Sequence, residues 1–322
     1  MAEDVIKQSE PVTPATAQTE TKVPKYSKKK KIIIGSVVGL FALLVLMVIF
    51  GTPSADTVFE DMKEEMLQTK SVTLDQTYKL NGKDGDEFDL NSKAIVNLDD
   101  NKELKAKGDF SLDLVTGGVP FKVKAEYIAI DDGTYVKFNE LSSSKSEVSA
   151  AFSKAEDQVK GKWIKVRDGD DLASFSSIAI DTLTGVLPLP YANLSNDQQQ
   201  AVLDILKDKS TYAISESSKV ELDGEPNYKY SISYNKDQYS KLEKKLSEYV
   251  SYIKVEEDSG SEIEKMTVWV NINTKRISKI EFEGTSEKGD TQGTIVFSNY
   301  NNSDTNIEKP DDYSIESELI KE

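Results

Sequence analysis

Apolar and polar residues alternate over most of the stretch from residue 72 to residue 138. The alternating runs are 72–80, 88–98, 104–114, 121–129 and 134–138, and short turns rich in Gly, Asn and Asp separate them. A period of two predicts β-strands with one covered face and one wet face. Tight turns between successive strands predict an antiparallel meander of long strands.

Helical spacing brackets this meander. Val58, Phe59, Met62, Met66 and Leu67 follow Pro53 at intervals typical of an amphipathic helix of about four turns. Further helices are predicted at 148–159, at 239–253 and after Ser195, which forms a possible capping box with Gln198. Further strands are predicted at 161–167, 228–234, 265–273, 276–283 and 291–300. This order predicts an α+β fold, in which helices cover one face of a curved antiparallel sheet.

The segment 32–50 differs from the rest of the chain because it is apolar and carries no charge. A helix of this length spans about 28 Å, close to the thickness of a bilayer core. A lysine cluster, Lys25 and 28–31, precedes it and acidic residues follow it. The positive-inside rule therefore predicts a single-pass cell-membrane anchor with a cytoplasmic N-terminus and residues 51–322 outside. A cleaved signal peptide is the alternative, which the segment's length and the long polar stretch before it disfavour.

Composition and charge narrow the possible functions. The 322 residues include no Cys and no His, and the net charge is -16. Thiol nucleophiles, disulfides, His-dependent triads and His- or Cys-ligated metal sites are therefore excluded. The charge divides into +3 for residues 1–31 and -19 for the remainder. An acidic body disfavours nucleic acid as a partner. The predicted organisation is a disordered tail (1–31), a transmembrane helix (32–50), an extracytoplasmic domain (53–312) and an acidic flexible tail (313–322).

Four short motifs resemble the LolA-like lipoprotein-carrier superfamily, which includes LolA/LolB, LppX/LprG and the N-terminal domain type of RseB. They are LQTKSVTLD (67–75), GKWIKVR (161–167), VWVNINTKRISKIEFEG (268–284) and FSNYNNSDTNIEKPDD (297–312). The resemblance implies a half-barrel closed by helices around a hydrophobic cavity that carries acyl chains or lipids, or senses lipoproteins. This chain departs from such relatives in its anchor, where many have a lipidated Cys or a cleaved signal, and in its length over residues 141–215.

Apolar positions of the meander are the candidate ligand contacts, although alternation alone is equally compatible with an ordinary core. They are Leu104, Phe110, Leu112, Phe121, Val123 and Tyr127. The apolar, Pro- and Ser-interrupted segment 172–191 is a candidate lid, since long irregular loops are often functional. A packed insertion or a self-association surface are the alternatives for it. The lid residues are Phe175, Ile180, Leu183, Leu187 and Leu189.

Catalytic patterns are weak. Ser142 and Lys145 have an S-x-x-K spacing, but no K-T-G motif accompanies them. The Asp pairs and clusters lie in expected turns, where Asp is favoured for backbone reasons. The sequence therefore predicts no enzyme, metal or cofactor. It predicts a membrane-anchored protein that binds a lipid or another hydrophobic ligand; a non-enzymatic sensor or scaffold that binds another envelope protein is the alternative.

Overall fold

The computed structural model describes residues 53–83, 85–99, 105–130, 133–166, 194–208, 212–234, 262–286, 289–302 and 306–315, and six positions within 241–249. Its helices are α1 (Pro53–Leu67), α2 (Ser146–Val159) and α3 (Asn196–Leu206). Its strands are β1 (Ser71–Gly82), β2 (Glu87–Asn97), β3 (Lys105–Thr116), β4 (Val119–Ile130), β5 (Gly133–Ser143), β6 (Trp163–Val166), β7 (Tyr212–Leu222), β8 (Glu225–Tyr234), β9 (Glu262–Asn271), β10 (Ile277–Ser286), β11 (Gly289–Ser298) and β12 (Ser314–Ile315).

All of these strands belong to one large curved sheet in the order β12-β6-β5-β4-β3-β2-β1-β11-β10-β9-β8-β7. Two meanders, β1 to β6 and β7 to β11, meet where β1 pairs with β11. Every pairing is antiparallel except the short contact between β12 and β6. Sequence neighbours pair because tight turns, such as the one through Gly117 and Gly118 at positive φ, reverse the chain between them.

The sheet buries one face. Along β2 the inward residues Phe88, Leu90, Ala94 and Val96 are buried, and they alternate with exposed or half-buried neighbours. This is the alternation predicted from the sequence, and it recurs in β1, β3 and β4. The buried residues of both meanders form one continuous hydrophobic core with α1 and α3.

Helix α1 packs on the buried face of the second meander. The Phe59 ring meets the Tyr230 ring edge-on at 4.8 Å between centroids, and the Tyr230 hydroxyl donates a 2.9 Å hydrogen bond to the Ala55 carbonyl. Arg276 of the β9–β10 turn forms an ion pair with Glu65 of α1, with 3.3 Å between Arg276 Nη2 and Glu65 Oε2. The apolar face predicted for this helix is therefore the face that the sheet covers.

Helix α3 begins at the predicted capping box. Ser195 Oγ accepts a hydrogen bond from the Gln198 amide, and Gln198 Oε1 accepts one from the Ser195 amide. Val202 and Leu206 are buried, while Ile205 is half-buried against the same core. The box satisfies two amide groups that the helix itself leaves without a partner.

The outer face of the first meander carries cross-strand ion pairs. Lys79–Asp89 (2.7 Å), Lys122–Asp113 (3.0 Å), Lys124–Glu140 (2.7 Å) and Lys137–Glu126 (3.0 Å) each join residues directly opposite each other on adjacent strands. Exposed pairs of this kind contribute little to stability. They do show that this face of the sheet is wet.

Several boundaries differ from the predictions. Strand β5 is longer than the predicted 134–138, and its pairing with β4 shifts register between Lys124 and Ala125. The sequence did not predict strands β7 and β12. Strand β7 has few buried residues because it is the last strand of the sheet, and β12 has only two residues. Across the described ranges, no helix is long and apolar enough to cross a membrane; the predicted span 32–50 lies outside them.

Candidate ligand site on the inner face of the sheet

Residues of β1 to β5 form five cross-strand rows on the buried face, which we call the inner face. Register fixes these rows, because each residue stands opposite its partners on both neighbouring strands. From β1 to β5 they read Leu80, Phe88, Leu114, Phe121, Ser143; Tyr78, Leu90, Leu112, Val123, Leu141; Gln76, Ser92, Phe110, Ala125, Phe138; Leu74, Ala94, Gly108, Tyr127, Val136; and Val72, Val96, Ala106, Ala129, Thr134.

Five of the six predicted ligand contacts belong to these rows. Phe110, Leu112, Val123 and Tyr127 are all buried in the core, and Phe121 is half-buried in the first row. The structure therefore brings these five residues together on one surface; whether they contact a ligand stays a prediction. Leu104 and the lid residues Phe175, Ile180, Leu183, Leu187 and Leu189 lie outside the described residues.

The first row forms a half-buried rim. Leu80, Leu114 and Phe121 are partly exposed, whereas the apolar residues of the next row are buried. A hollow of about 270 Å³ opens at this end of β3 to β5, and its lining combines Leu114, Val115, Pro120 and Phe121 with polar residues that include the ion-paired Asp113 and Lys122. Partly exposed apolar side chains therefore mark this end of the buried face.

Gly108 stands opposite Tyr127 and lies close to the backbone of β2. The two residues are paired on β3 and β4, and a Cβ atom at position 108 would collide with the β2 backbone. The Tyr127 and Phe110 rings lie 6.4 Å apart and are tilted by 54°. On β11 and β10 the Phe282 ring occupies the space that a side chain at Gly293 would fill.

Three polar atoms on this apolar face have no hydrogen-bond partner: Gln76 Nε2, Ser92 Oγ and Tyr127 OH. Gln76 and Ser92 stand opposite each other on β1 and β2. The Tyr127 hydroxyl approaches Ser92 closely enough for Ser92 to lower its pKa, but the two groups do not reach hydrogen-bond geometry. Burial has the larger effect and raises the pKa of Tyr127, so the phenol is neutral and available as a donor.

These polar positions were not identified from the sequence. Gln76 and Ser92 interrupt the alternation of β1 and β2 at inward positions, which was the available signal. Buried polar atoms are nearly always hydrogen-bonded, and leaving one unpaired costs about 1–3 kcal/mol. Ser92 and Tyr127 can each donate to and accept from the other, so with Gln76 they form a small polar cluster within the apolar face.

The structure gives the catalytic patterns no support. Ser142 Oγ donates to Glu140 at 3.4 Å and lies at the edge of the hollow. Among the carboxylates in the described ranges, no three gather closely enough to hold a metal ion. Asp86 accepts a hydrogen bond from the Gly117 amide, a contact that stabilises the turn backbone.

No family model matches the chain, and no curated protein matches it. Three solved structures are similar to it. LprF from Mycobacterium bovis has 11% identity and a TM-score of 0.42, and the alignment covers 80% of this chain and 98% of LprF. An outer membrane lipoprotein-sorting protein domain from Vibrio parahaemolyticus has 9% identity, a TM-score of 0.24, and coverage of 77% and 92%. A LolA superfamily protein from Nitrosomonas europaea has 8% identity, a TM-score of 0.19, and coverage of 76% and 92%.

One of these structures is named as a LolA superfamily protein and another as a lipoprotein-sorting protein domain. All three TM-scores lie below 0.5. What the chain does must therefore be argued from its own inner face.

Proposed function

We propose that this chain is a membrane-anchored, extracytoplasmic protein that binds a lipid or another hydrophobic ligand against the inner face of its sheet. The observation that carries the proposal is the combination of an extended apolar inner face with a small cluster of buried polar side chains, Gln76, Ser92 and Tyr127. Ligand sites typically combine an apolar lining with a few polar groups that fix orientation.

Hydrophobic burial would supply most of the affinity. The rows offer large side chains such as Phe110 and Leu112 beside small ones such as Ala94 and Ala125. Apolar area removed from water contributes about 25 cal/mol per Å².

The anchor and orientation belong to the proposal as sequence-based expectations. The segment 32–50 would hold the domain at the membrane, with the lysine cluster at 28–31 on the cytoplasmic side. A tethered carrier would exchange ligand near its own membrane. Protease added to intact cells should cleave the 53–322 region and spare the tail; the reverse pattern would contradict this orientation.

Ligand binding can be tested on the full chain in nanodiscs with a diazirine-labelled hexadecane probe. We expect photo-crosslinks on peptides from β1 to β4, in addition to those on the anchor. Ala125 is 1% exposed and faces inward, so a larger side chain in Ala125→Trp should crowd the inner face against any ligand and remove the β1–β4 crosslinks. Crosslinks on residues 32–50 should persist in this variant.

Lys124→Trp is the matched control, because Lys124 is the adjacent residue and lies on the wet outer face. Circular dichroism checks that each variant is folded, and Ala125→Leu provides a milder occlusion. Crosslinking confined to the anchor in the wild type would exclude ligand binding at this face. A sensor or scaffold that binds an envelope protein would then be the better explanation.

A further inference from the structure

We infer that the outer face of the first meander carries a docking groove for an extended acidic peptide of another protein, and that this chain's own residues 306–315 occupy the groove as a built-in competitor. We call residues 306–315 the C-terminal segment. The groove lies on the opposite face of the sheet from the candidate ligand site, so this inference goes beyond the proposed function and does not depend on it.

Five residues on neighbouring strands form the floor of the groove, which we call the outer row. Register places them side by side, because each stands opposite its neighbour on the next strand from β2 to β6. Three of them are apolar or aromatic and two are lysines. The outer row consists of Ile95, Lys107, Ile128, Tyr135 and Lys165.

The chain returns across the sheet after β11 and reaches the end of this row. Beside β1, the Ser71 hydroxyl donates a 3.1 Å hydrogen bond to the Asn302 carbonyl. At the other end, Ile315 of β12 pairs with Lys165 of β6. Strands β2 to β5 lie between these two attachments, and they carry the other four members of the outer row. The C-terminal segment therefore crosses the meander at the level of the outer row.

Two anchor residues hold the C-terminal segment in place. The Tyr313 ring meets the Tyr135 ring edge-on at 4.9 Å between centroids, and Tyr135 is 0% exposed although it lies on the outer face. Ile307 is 5% exposed, yet neither it nor Tyr135 belongs to the main hydrophobic core. The segment therefore docks through an aliphatic side chain at position 307 and an aromatic one at position 313, away from that core.

Charge indicates which peptides suit the groove. The exposed charged residues of the C-terminal segment are three carboxylates and one lysine: Glu308, Asp311, Asp312 and Lys309. In the outer row, Lys107 is exposed, and the Lys165 ammonium lies over the Tyr135 ring at 5.5 Å. Opposite charges on two docking surfaces favour their association. The groove therefore fits an extended acidic peptide with an aliphatic anchor followed, after the acidic residues, by Tyr-x-Ile.

The C-terminal segment is attached weakly enough to be displaced. Two residue pairs join β12 to β6, whereas each pair of neighbouring strands from β1 to β5 is joined along most of its length. Elements with few ordered contacts open locally without global unfolding. A partner's peptide with the same pattern can then occupy the outer row in place of the chain's own segment.

Fluorescence anisotropy of a labelled peptide tests this inference on the full chain in non-ionic detergent. The probe is a fluorescein-labelled peptide with the sequence of residues 306–315. Wild type should bind it weakly, because the chain's own segment leaves the groove free for only a fraction of the time. Tyr313→Ala in the chain weakens this competitor and should tighten peptide binding about tenfold, the effect of losing one aromatic pair. Ile315→Ala should change the affinity in the same direction.

Lys309→Ala is the matched control, because Lys309 is an exposed residue of the same segment and its loss should leave the wild-type affinity unchanged. Added to Tyr313→Ala, either Tyr135→Ala or Lys107→Glu should weaken peptide binding again; Lys107 is exposed, so its replacement leaves the fold intact. Circular dichroism checks the fold of each variant.

Three results would overturn the inference. The first is no peptide binding to the Tyr313→Ala and Ile315→Ala chains. The second is binding that Tyr135→Ala and Lys107→Glu leave unchanged, since the peptide would then bind elsewhere. The third is a wild-type dimer that the peptide splits into monomers, because copies of this chain would then exchange the segment with each other and no external partner would be needed.

Discussion

Lys63 should make the stability of this protein rise with pH. It lies in α1 with 1% of its surface exposed, and its ammonium donates a 2.8 Å hydrogen bond to Glu60. Burial lowers the pKa of Lys63 from 10.5 to about 8, and the attraction of Glu60 only partly opposes this shift. The folded protein therefore holds this proton less tightly than the unfolded chain does.

The sign of the effect follows from proton binding. Between pH 8 and 10.5 the unfolded chain keeps the Lys63 proton while the folded protein loses it, so raising the pH favours folding. Below about pH 8 both states are protonated and the full cost of burying the charge remains. A shift of this size corresponds to about 3 kcal/mol in total, of which about 2 kcal/mol should be gained between about pH 7.5 and 9.5.

Urea unfolding of the full chain in non-ionic detergent measures this gain, with fluorescence of Trp163 and Trp269 as the signal. Wild type should gain about 2 kcal/mol over this pH range relative to Lys63→Met, which has no proton to lose. Burial raises the pKa of Tyr78 and Tyr127. These tyrosines therefore lower the free energy of unfolding only above about pH 10, where they ionise in the unfolded chain. The measurement therefore stops below that pH.

Lys79→Met is the matched control, because Lys79 is an exposed lysine whose pKa is raised by its hydrogen bond to Asp89. It should show the wild-type pH dependence up to pH 9.5. Parallel profiles for wild type and Lys63→Met would refute the reasoning. They would mean that the folded protein keeps Lys63 charged, through relaxation or water at the helix surface.

Three further variants test the packing of the fold. Gly293→Ala places a methyl group against the Phe282 ring and should lower the free energy of unfolding by about 1–3 kcal/mol, measured in urea. The loss should be smaller in a Phe282→Leu background. An unchanged loss in that background would argue against the clash. Ser195→Ala removes the α3 capping box and should cost about 1 kcal/mol, seen as a lower Tm, whereas Ser195→Asp should retain most of it. Phe59→Ala should cost about 3–5 kcal/mol by emptying the space beside Tyr230, and a loss below 1 kcal/mol would mean that α1 does not pack as described.

The alternation of apolar and polar residues was enough to predict the first meander, because each of its strands has one face in the core and the other exposed to solvent. Apolar and polar residues alternate along β1 and β2, between Val72 and Val96, because each strand has a core side and a solvent side. Strand β7 was missed because Tyr212–Leu222 is largely exposed at the end of the sheet and so lacks an apolar period. The two-residue β12 is defined by its partner β6, which no local pattern reveals.

The candidate site was predicted only in part for a related reason. Phe110, Leu112, Val123 and Tyr127 were found because they are apolar and alternate. Gln76 and Ser92 were not, because a polar residue at an inward position is meaningful only when its burial and neighbours are known. The register between strands supplies that knowledge, and it depends on contacts distant in sequence.

The two edges of the sheet bear on the behaviour of the protein at high concentration. In the described part of the chain the last strands are β12, which has two residues, and β7, which has a register shift between Ile214 and Glu216. Charged residues such as Glu216, Lys219 and Glu221 are exposed along β7. A short, bulged or charged border is a poor template for another molecule's strand. Many copies at high concentration should therefore stay separate particles rather than join into fibrils.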